Sequence, residues 1–428
     1  MRVGVFRSMP WCAGGAFQYE MVMMDALGEL ARREREKQGG DEIVCLTRPD
    51  ENLSGLVAAG GLNYGGMALR PLVPAMFTQG ALENYLNIPP APEPNINANA
   101  IYIDHGLQQG FRAAKVDWVF QLQPSPASFS ALMPFIMPIH DLQHRFQPEF
   151  PEVSEEGQTT YREYLYRNAC RFATLLIVDS EQGRQDVLNS YGDLVNADRI
   201  RVLPFYPPIR RGDMPDDAEL KRVAEKHRLP SRYFFYPAQF WRHKNHHLIV
   251  QALHLIERAT GEKIPVVFCG TYVDRVRAIN FKNVMEEADR LGVRDRVHYL
   301  GWAPDEDMPA LYRLSAGLVM PTFFGPTNIP GLEAWHWGRP VITSDIPGIR
   351  EQTGDGGLLV NPRSPEQLAE AMLRLWRDEA LGRDLAERGR KRLDSYNWDV
   401  FVDQVGAIVR EAGERVRDGR TPRYPRLG

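Results

Sequence analysis

The 428-residue chain is longer than one ordinary hydrophobic core requires, so its length predicts two domains. With 43% hydrophobic and 25% charged residues, the chain has the composition of a globular protein and not of a disordered one. The formal net charge is −4 and the body of the chain has no Lys/Arg-rich block, which argues against nucleic acid as the partner; only the tail, RVRDGRTPRYPRLG, is basic.

The chain carries the signs of a cytoplasmic protein. Its cysteines are scattered without a CxxC pair, which is typical of structural thiols in a reducing cytosol: Cys12, Cys45, Cys170 and Cys269. We find neither a signal peptide nor an apolar run of transmembrane length. The basic tail and the helix face in ARREREK would allow peripheral contact with the inner face of an anionic membrane, although a solvated face and a loose tail explain them more simply.

Short apolar runs alternate with helical patterns along the chain, which predicts βαβ units and parallel sheets. The candidate strands of the first half are MRVGVF, EIVCLT, IYIDH, WVFQLQ, PFIMPIH and TLLIVDS. Those of the second half are RYFFYPA, PVVFCG, VHYLG, GLVMPT, PVITSD and GLLV. A stretch rich in proline and charge predicts a linker at 207–217. We therefore expect an α/β protein of two doubly wound, Rossmann-like domains that face a ligand cleft.

Two segments of the first half could contact a ligand. Gly14 and Gly15 follow the first strand, where missing Cβ atoms let a ligand approach the backbone, although a plain tight turn would look the same. His140 and Asp141 end the run PFIMPIHD, and with His144 they suggest the alternative of a metal phosphohydrolase. The spacing of four residues serves a metal best on a helix, and an extended run precedes it here.

In the second half, charged and aromatic residues follow two of the candidate strands. Arg242 and Lys244 come just after RYFFYPA and could neutralise a diphosphate, although solvated surface charges would have the same pattern. Trp302 follows VHYLG and could stack on a nucleotide base. Asp305 and Asp307 imitate a DxD metal motif, but acidic residues are also favoured where a helix starts, and we predict a helix start.

The segment FFGPTNIPGLEAWHWGRPVITSDIP, residues 323–347, leads a loop into a short helix and then into a β-type run. The unpaired backbone N–H groups and the dipole of a helix N-terminus suit a phosphate. Glu333, about two turns into the pattern, could accept the two hydroxyl hydrogens of a ribose. The segment indicates a nucleotide diphosphate, although a helix start with an exposed Glu is an ordinary alternative.

Together these segments resemble family 4 of the retaining glycosyltransferases, which have the GT-B fold. The resemblance lies in PAQFWRHKNH, VHYLGWAPDEDMPALY, GPTNIPGLEAWHWGRPVITSDIPGIRE and GGLLVNPRSPEQLAEAM, and more weakly in GGAFQYE and PIHDLQH. It implies an acceptor-side domain at 1–208, a nucleotide-sugar domain at 209–395, and a terminal helix at about 396–416 that crosses back to the first domain.

The same resemblance implies the reaction. A sugar would pass, with retention and without a metal or other cofactor, from a nucleotide-diphosphate sugar to a hydroxyl of a sugar or lipid-linked sugar. Bacterial polysaccharide or glycoconjugate synthesis would be the setting. A non-catalytic nucleotide-sugar-binding protein is the alternative, and an epimerase or hydrolase could use the same scaffold.

The resemblance also assigns roles to residues. Lys244 and Arg242 would hold the leaving diphosphate, and Glu333 the ribose. His140 would lie against the transferred sugar. Backbone and side-chain groups near the phosphates and the sugar would come from Gly14 or Gly15 and from the turn Thr327, Asn328 and Ile329.

Two positions depart from the family pattern. Gly325 stands eight residues before Glu333, where the family often has a sugar-binding Glu, and Gln239 stands five before Lys244, where an Arg is usual. We expect Thr327 and Asn328, close by in sequence, to hold the sugar in another way.

Overall fold

The computed structural model describes residues 1–7, 15–47, 63–64, 66–72, 96–207, 214–325 and 328–425. The chain divides into two compact units. The first comprises Met1–Pro148, Val153–Tyr206 and Asn397–Gly428, and the second Glu149–Glu152 and Pro207–Tyr396. Part of the predicted linker, residues 208–213, lies outside the described residues.

The first unit contains an eight-stranded sheet of order β3-β4-β2-β1-β5-β6-β7-β8, in which only the β3–β4 pair is antiparallel. Its strands are β1 (Arg2–Phe6), β2 (Glu42–Thr47), β3 (Asn63–Tyr64), β4 (Met67–Pro71), β5 (Trp118–Gln121), β6 (Phe135–Pro138), β7 (Leu175–Val178) and β8 (Ile200–Val202). Strands β5, β6 and β7 are buried at every position, which explains their continuous apolar runs.

The helices of the first unit are α1 (Gly15–Arg35), α2 (His105–Ala113), α3 (Ala127–Ser130), α4 (Gln143–Phe146), α5 (Pro151–Ser154), α6 (Gln158–Phe172), α7 (Glu181–Tyr191) and the terminal α16 (Trp398–Arg417). Helix α5 begins in residues of the second unit. Helix α16 packs on α1, where Arg33 bonds Asp399 and Asp403 at 3.0 and 2.9 Å. A terminal helix that returns to the first domain was predicted and is confirmed.

The second unit contains a six-stranded parallel sheet of order β11-β10-β9-β12-β13-β14. Its strands are β9 (Phe234–Pro237), β10 (Val266–Cys269), β11 (Val297–Tyr299), β12 (Gly317–Met320), β13 (Val341–Ser344) and β14 (Gly357–Val360). Its helices are α8 (Asp217–His227), α9 (His246–Thr260), α10 (Arg275–Arg290), α11 (Met308–Leu314), α12 (Ile329–His336), α13 (Pro347–Thr353), α14 (Pro365–Arg377) and α15 (Glu379–Leu393).

Each sheet has a topological switch point. In the second unit the chain runs from β9 outward to β10 and β11, then returns to place β12 on the other side of β9. In the first unit β2 and β5 flank β1 in the same way. Doubly wound sheets bind ligands beyond the carboxyl ends of the strands at such points. The predicted doubly wound α/β fold is confirmed.

One predicted strand is wrong. Residues 101–104, in the run IYIDH, pair with no strand in the described chain, and α2 begins at His105. The Asp104 carboxylate accepts hydrogen bonds from the N–H groups of Gly106 and Leu107, so this residue caps the helix and does not end a strand. Side chains cap many other helices in the same way, as at Ser180, Asp216, Asp274, Ser364, Asp378 and Asn397.

The basic tail is attached to the first unit as far as it is described. The ring of Tyr424 stacks on Phe172 with centroids 4.8 Å apart, and its hydroxyl donates to the Met133 carbonyl at 2.8 Å. Among the described helices, none combines the length and the hydropathy needed to span a membrane.

Candidate functional site

The predicted cations lie on a short 3₁₀ turn, Arg242–Lys244, directly beyond the carboxyl end of β9; we call it the cationic turn. Arg242 is exposed and Lys244 is half-buried. The Lys244 carbonyl accepts the Tyr236 hydroxyl at 2.7 Å. Asn245, which follows with a φ of 58°, donates its buried amide to the carbonyls of Pro321 and Pro362 at 2.9 and 2.8 Å. These buried bonds fix the backbone that carries both cations.

The loop after β12, residues 321–325, is bonded to the cationic turn; we call it the β12 loop. The carbonyl of His243 accepts the backbone N–H of Phe323 at 2.7 Å and the Thr322 hydroxyl at 3.1 Å. Since β9 and β12 are neighbouring parallel strands, their connections meet at the switch point of the second sheet. Two segments about 80 residues apart in sequence are thus brought together, as the fold predicts.

Helix α12 begins just beyond the β12 loop, and its N-terminus carries an unsatisfied donor. Asn328 is 5% exposed, and its Nδ2 has no hydrogen-bond partner among the described residues. Its backbone N–H donates to Gln352 Oε1 at 2.9 Å. Ile329, the first helical residue, is buried, and Thr327 lies outside the described residues. A buried amide donor beside a helix N-terminus suits an anionic ligand.

Glu333 lies in the second turn of α12 and is half-buried. Its Oε2 accepts the hydroxyl of Tyr312, a fully buried residue, at 2.7 Å. Burial raises the pKa of Glu333, the Tyr312 hydrogen bond opposes that rise, and the charge of Asp305 adds to it. Tyr312 fixes one oxygen of the carboxylate, so a ligand hydroxyl would meet the other.

The two departures from the family pattern have structural counterparts. Gly325 has a φ of 116°, a region that glycine adopts readily and that would strain a glutamate. Gln239 accepts a hydrogen bond from Trp241 Nε1 at 3.0 Å, and the guanidinium of Arg277 lies over the Trp241 ring, 4.6 Å from its centroid. Arg277 was not predicted to lie beside Trp241, because it belongs to a different element, α10.

In the first unit, His140 follows β6 and is held by a buried carboxylate. Its Nδ1 lies 3.2 Å from Asp179, which is fully buried, and its ring meets Tyr19 edge-on at 4.7 Å. Burial acts to lower the pKa of His140, but the charge of Asp179 outweighs it and the pKa is raised. Its Nε2 is buried without a partner among the described residues. Of the two predicted glycines, Gly15 is the exposed first residue of α1 and Gly14 lies outside the described residues.

The residues that the sequence suggested as metal ligands in the first unit bond other side chains. Asp141 bonds Arg162 at 3.0 Å, and His144 bonds Glu163 at 2.9 Å. Within the described ranges, no group of three or more His, Cys, Asp or Glu residues is placed to hold a metal ion.

Asp307 precedes α11, so the predicted helix start is present, but its side chain does not cap the helix. The buried carboxylate instead bonds Lys226, His227 and Arg222 at 2.6, 2.8 and 3.0 Å. Burial works to raise the pKa of Asp307, but these three partners lower it to about 2. Of the residues suggested for ligand contact nearby, Trp302 is 60% exposed and has no ring contact with another described residue.

Part of the second unit is similar in sequence to a family of known proteins. Residues 217–392 match the family model of glycosyl transferases group 1. The O-antigen chain mannosyltransferase B of Escherichia coli is 25% identical over 261 residues, which is 60% of this chain and 65% of that protein. A D-inositol 3-phosphate glycosyltransferase of Corynebacterium urealyticum is 26% identical over 267 residues, 59% of this chain and 60% of that protein. The alignments thus span less than two thirds of these relatives.

Solved structures share the whole fold. Anabaena Alr3699/HepE in complex with UDP and glucose superimposes with a TM-score of 0.69 at 15% identity, covering 96% of this chain and 99% of that one. WaaG, a glycosyltransferase involved in lipopolysaccharide biosynthesis, gives 0.64 at 16% identity, covering 95% and 99%. The fold is that of GT-B glycosyltransferases.

Proposed function

We propose that the protein is a family 4 retaining glycosyltransferase that moves a sugar from a nucleotide-diphosphate sugar to a hydroxyl acceptor without a metal. The observation that carries the proposal is the arrangement at the switch point of the second sheet. There the cationic turn is bonded to the β12 loop, and α12 follows with the Asn328 amide at its start and Glu333 one turn later. Cations and N–H donors suit a diphosphate, and Glu333 suits the ribose hydroxyls.

The chemistry follows from where charge develops. As the bond between the anomeric carbon and the phosphate oxygen breaks, its electron pair passes to the diphosphate, and the sugar becomes oxocarbenium-like. Lys244, Arg242 and the N–H groups at the start of α12 would stabilise that negative charge from fixed positions. The acceptor hydroxyl would attack the face that the diphosphate leaves and pass its proton to a phosphate oxygen. This scheme needs no protein nucleophile.

The names of the similar proteins support a class of acceptor. One relative is an O-antigen chain mannosyltransferase, and WaaG takes part in lipopolysaccharide biosynthesis. A sugar or lipid-linked sugar acceptor in bacterial polysaccharide or glycoconjugate synthesis fits both, and a lipid-linked acceptor would bring the protein to the inner face of the membrane. The anomeric configuration of the product, read by NMR, tests retention.

Lys244→Ala is expected to lower kcat at least about tenfold, which corresponds to roughly 1.4 kcal/mol of barrier. The donor is first identified by thermal-shift screening of nucleotide sugars, since a ligand at 100 times its Kd stabilises a protein by about 2.7 kcal/mol. Lys282→Ala is the control, because Lys282 lies exposed on α10 and pairs with Glu286 at 3.6 Å. Unchanged transfer kinetics in Lys244→Ala would remove Lys244 from the proposed role.

Treatment with EDTA is expected to leave transfer activity intact. The carboxylate of Asp307, one half of the DxD-like pair, already bonds three cationic side chains and is poorly placed to bind a metal. The measurement is the initial rate before and after EDTA, with Mn²⁺ added back. Loss of activity that Mn²⁺ restores would contradict a metal-independent reaction.

Gly325 favours one alternative, a non-catalytic nucleotide-sugar-binding protein, because the family glutamate that would contact the sugar is replaced there. Calorimetry that detects donor binding, with neither transfer nor hydrolysis over a panel of acceptors, would support that alternative. Free sugar released without an acceptor would indicate a hydrolase instead.

A further inference from the structure

Four residues from the first half of the chain, Glu149–Glu152, pack into the second unit, although the chain on both sides of them belongs to the first. Phe150 is 7% exposed. Its ring centroid lies 5.1 Å from that of Phe323 and 5.4 Å from that of Phe324. The segment thus places an aromatic side chain against the β12 loop.

Glu152, two residues later, bonds the cationic turn. Its side chain is 6% exposed, and its Oε1 accepts both the backbone N–H of His243 at 2.8 Å and the ring Nδ1 of His243 at 2.6 Å. Burial acts to raise the pKa of Glu152, but the hydrogen bonds from His243 lower it overall, so Glu152 is a carboxylate at neutral pH. A charged acceptor with two donors from one residue forms strong, directional bonds.

His243 is the middle residue of the cationic turn. Besides Glu152, it contacts the β12 loop. Its ring stacks on Phe324, with centroids 4.0 Å apart and planes inclined by 15°. Its carbonyl accepts the Phe323 N–H and the Thr322 hydroxyl. The residue between the two cations is therefore fixed by Glu152 through its N–H and ring nitrogen, and by the β12 loop through its carbonyl and ring face.

We propose that Glu152 is a positioning residue of the donor site, which acts through His243 to hold Arg242 and Lys244 where the diphosphate binds. This inference rests on the proposed function. Long cationic side chains on a short turn lose conformational freedom when they bind a ligand, and a turn that is already fixed loses less. A negative charge beside His243 also offsets part of the repulsion between Arg242 and Lys244.

The test compares Glu152→Gln with the wild-type full chain by calorimetry, using a nucleoside diphosphate and its parent nucleoside. Glutamine keeps the size of the side chain and an oxygen for the His243 N–H, but removes the charge. We expect the Kd of the nucleoside diphosphate to rise about fivefold or more, since small misplacements of binding groups are costly. The Kd of the nucleoside should change by less than about twofold, because it lacks the phosphates that the cations hold. In transfer assays, KM for the donor should rise and KM for the acceptor should not.

Glu149→Gln is the matched control from the same segment. The Glu149 carboxylate pairs with Arg363 at 3.5 Å, and both side chains are more than half exposed. Exposed ion pairs contribute little free energy, so in Glu149→Gln the Kd values of the nucleoside diphosphate and of the nucleoside should both stay within about twofold of wild type.

A second variant, His243→Phe, tests the same bond from its other end and keeps an aromatic ring to stack on Phe324. It should weaken the binding of the nucleoside diphosphate and leave that of the nucleoside nearly unchanged. Combining it with Glu152→Gln should add little further loss of affinity, because both substitutions remove the same interaction. If Glu152→Gln does not fold, as judged by circular dichroism, His243→Phe alone decides.

Three outcomes would overturn the role of Glu152. These are an unchanged Kd for the diphosphate in the deciding variant, equal losses for nucleoside and nucleoside diphosphate, and additive losses in the double variant. Failure of the wild-type chain to bind any nucleoside diphosphate would instead overturn the proposed function.

Discussion

Glu20→Ala is expected to lower the free energy of unfolding of the first unit by about 3–5 kcal/mol, because it leaves the charge of Arg7 in the core without this carboxylate. The Nε of Arg7 lies 2.6 Å from Oε1 of Glu20, and both side chains are fully buried. Arg7 directly follows β1, and Glu20 lies in the second turn of α1. The ion pair therefore fixes the start of α1 to the end of the strand at the switch point of the first sheet.

The measurement is urea unfolding of the whole chain, together with hydrogen–deuterium exchange that assigns the loss to a unit. Exchange should rise in peptides from β1 and α1, and peptides from β9 should keep wild-type protection. The double variant Arg7→Met/Glu20→Leu removes both charges and should be more stable than Glu20→Ala alone. A double variant that is no more stable than the single one would show that the buried charge is not the cause.

Trp335→Ala is expected to destabilise the second unit by about 3–5 kcal/mol, the usual cost of removing a large buried side chain. Trp335 is 1% exposed, and its Nε1 donates to the Gly356 carbonyl at 3.0 Å. Helix α15 passes so close to the ring that a Cβ on Gly389 would lie 2.1 Å from Trp335 Cδ1. Trp335 thus fixes α12 against α15 two residues after Glu333, and its loss should also weaken donor binding.

In Trp335→Ala, hydrogen–deuterium exchange should be faster in β12 and β13 and unchanged in β1, the reverse of the pattern expected for Glu20→Ala. Trp335→Phe is the control, because it keeps most of the packing and removes only the hydrogen bond and part of the ring. It should lose about 1–2 kcal/mol, near the cost of one unsatisfied buried acceptor. Equal losses in the two variants would contradict the account based on packing.

The fold could be predicted because most strands are buried on both faces and so appear as continuous apolar runs. The run IYIDH was wrongly predicted to be a strand. Its apolar pattern is short, and Asp104 within it is a strong helix cap, so a helix begins there. The strand β8 was missed and β11 was predicted, although each has only three paired residues, two of them half-buried. Runs of that length do not separate a strand from a loop.

The positions of the candidate site residues were predictable only where these residues follow strands that meet at the switch point of the sheet. Arg242, Lys244 and Glu333 lie on connections that follow strands, and their positions follow from the order of the elements. Glu152 lies 91 residues from the group it bonds, and Tyr312 lies 21 residues from Glu333. Their roles depend on tertiary packing, and one sequence carries no signal for such pairs. The glycine at 325 was visible as a departure, but only the backbone φ of 116° gives it a physical reason.

The second unit is not one continuous stretch of sequence, and this bears on how such proteins can be recombined. An exchange of residues 207–396 between two relatives, whether by natural recombination or by gene synthesis, would transfer the cationic turn and α12 together. It would leave behind Phe150 and Glu152, which pack against that turn and the β12 loop. A hybrid that inherits its donor specificity intact would have to take four further residues from the other half of the gene.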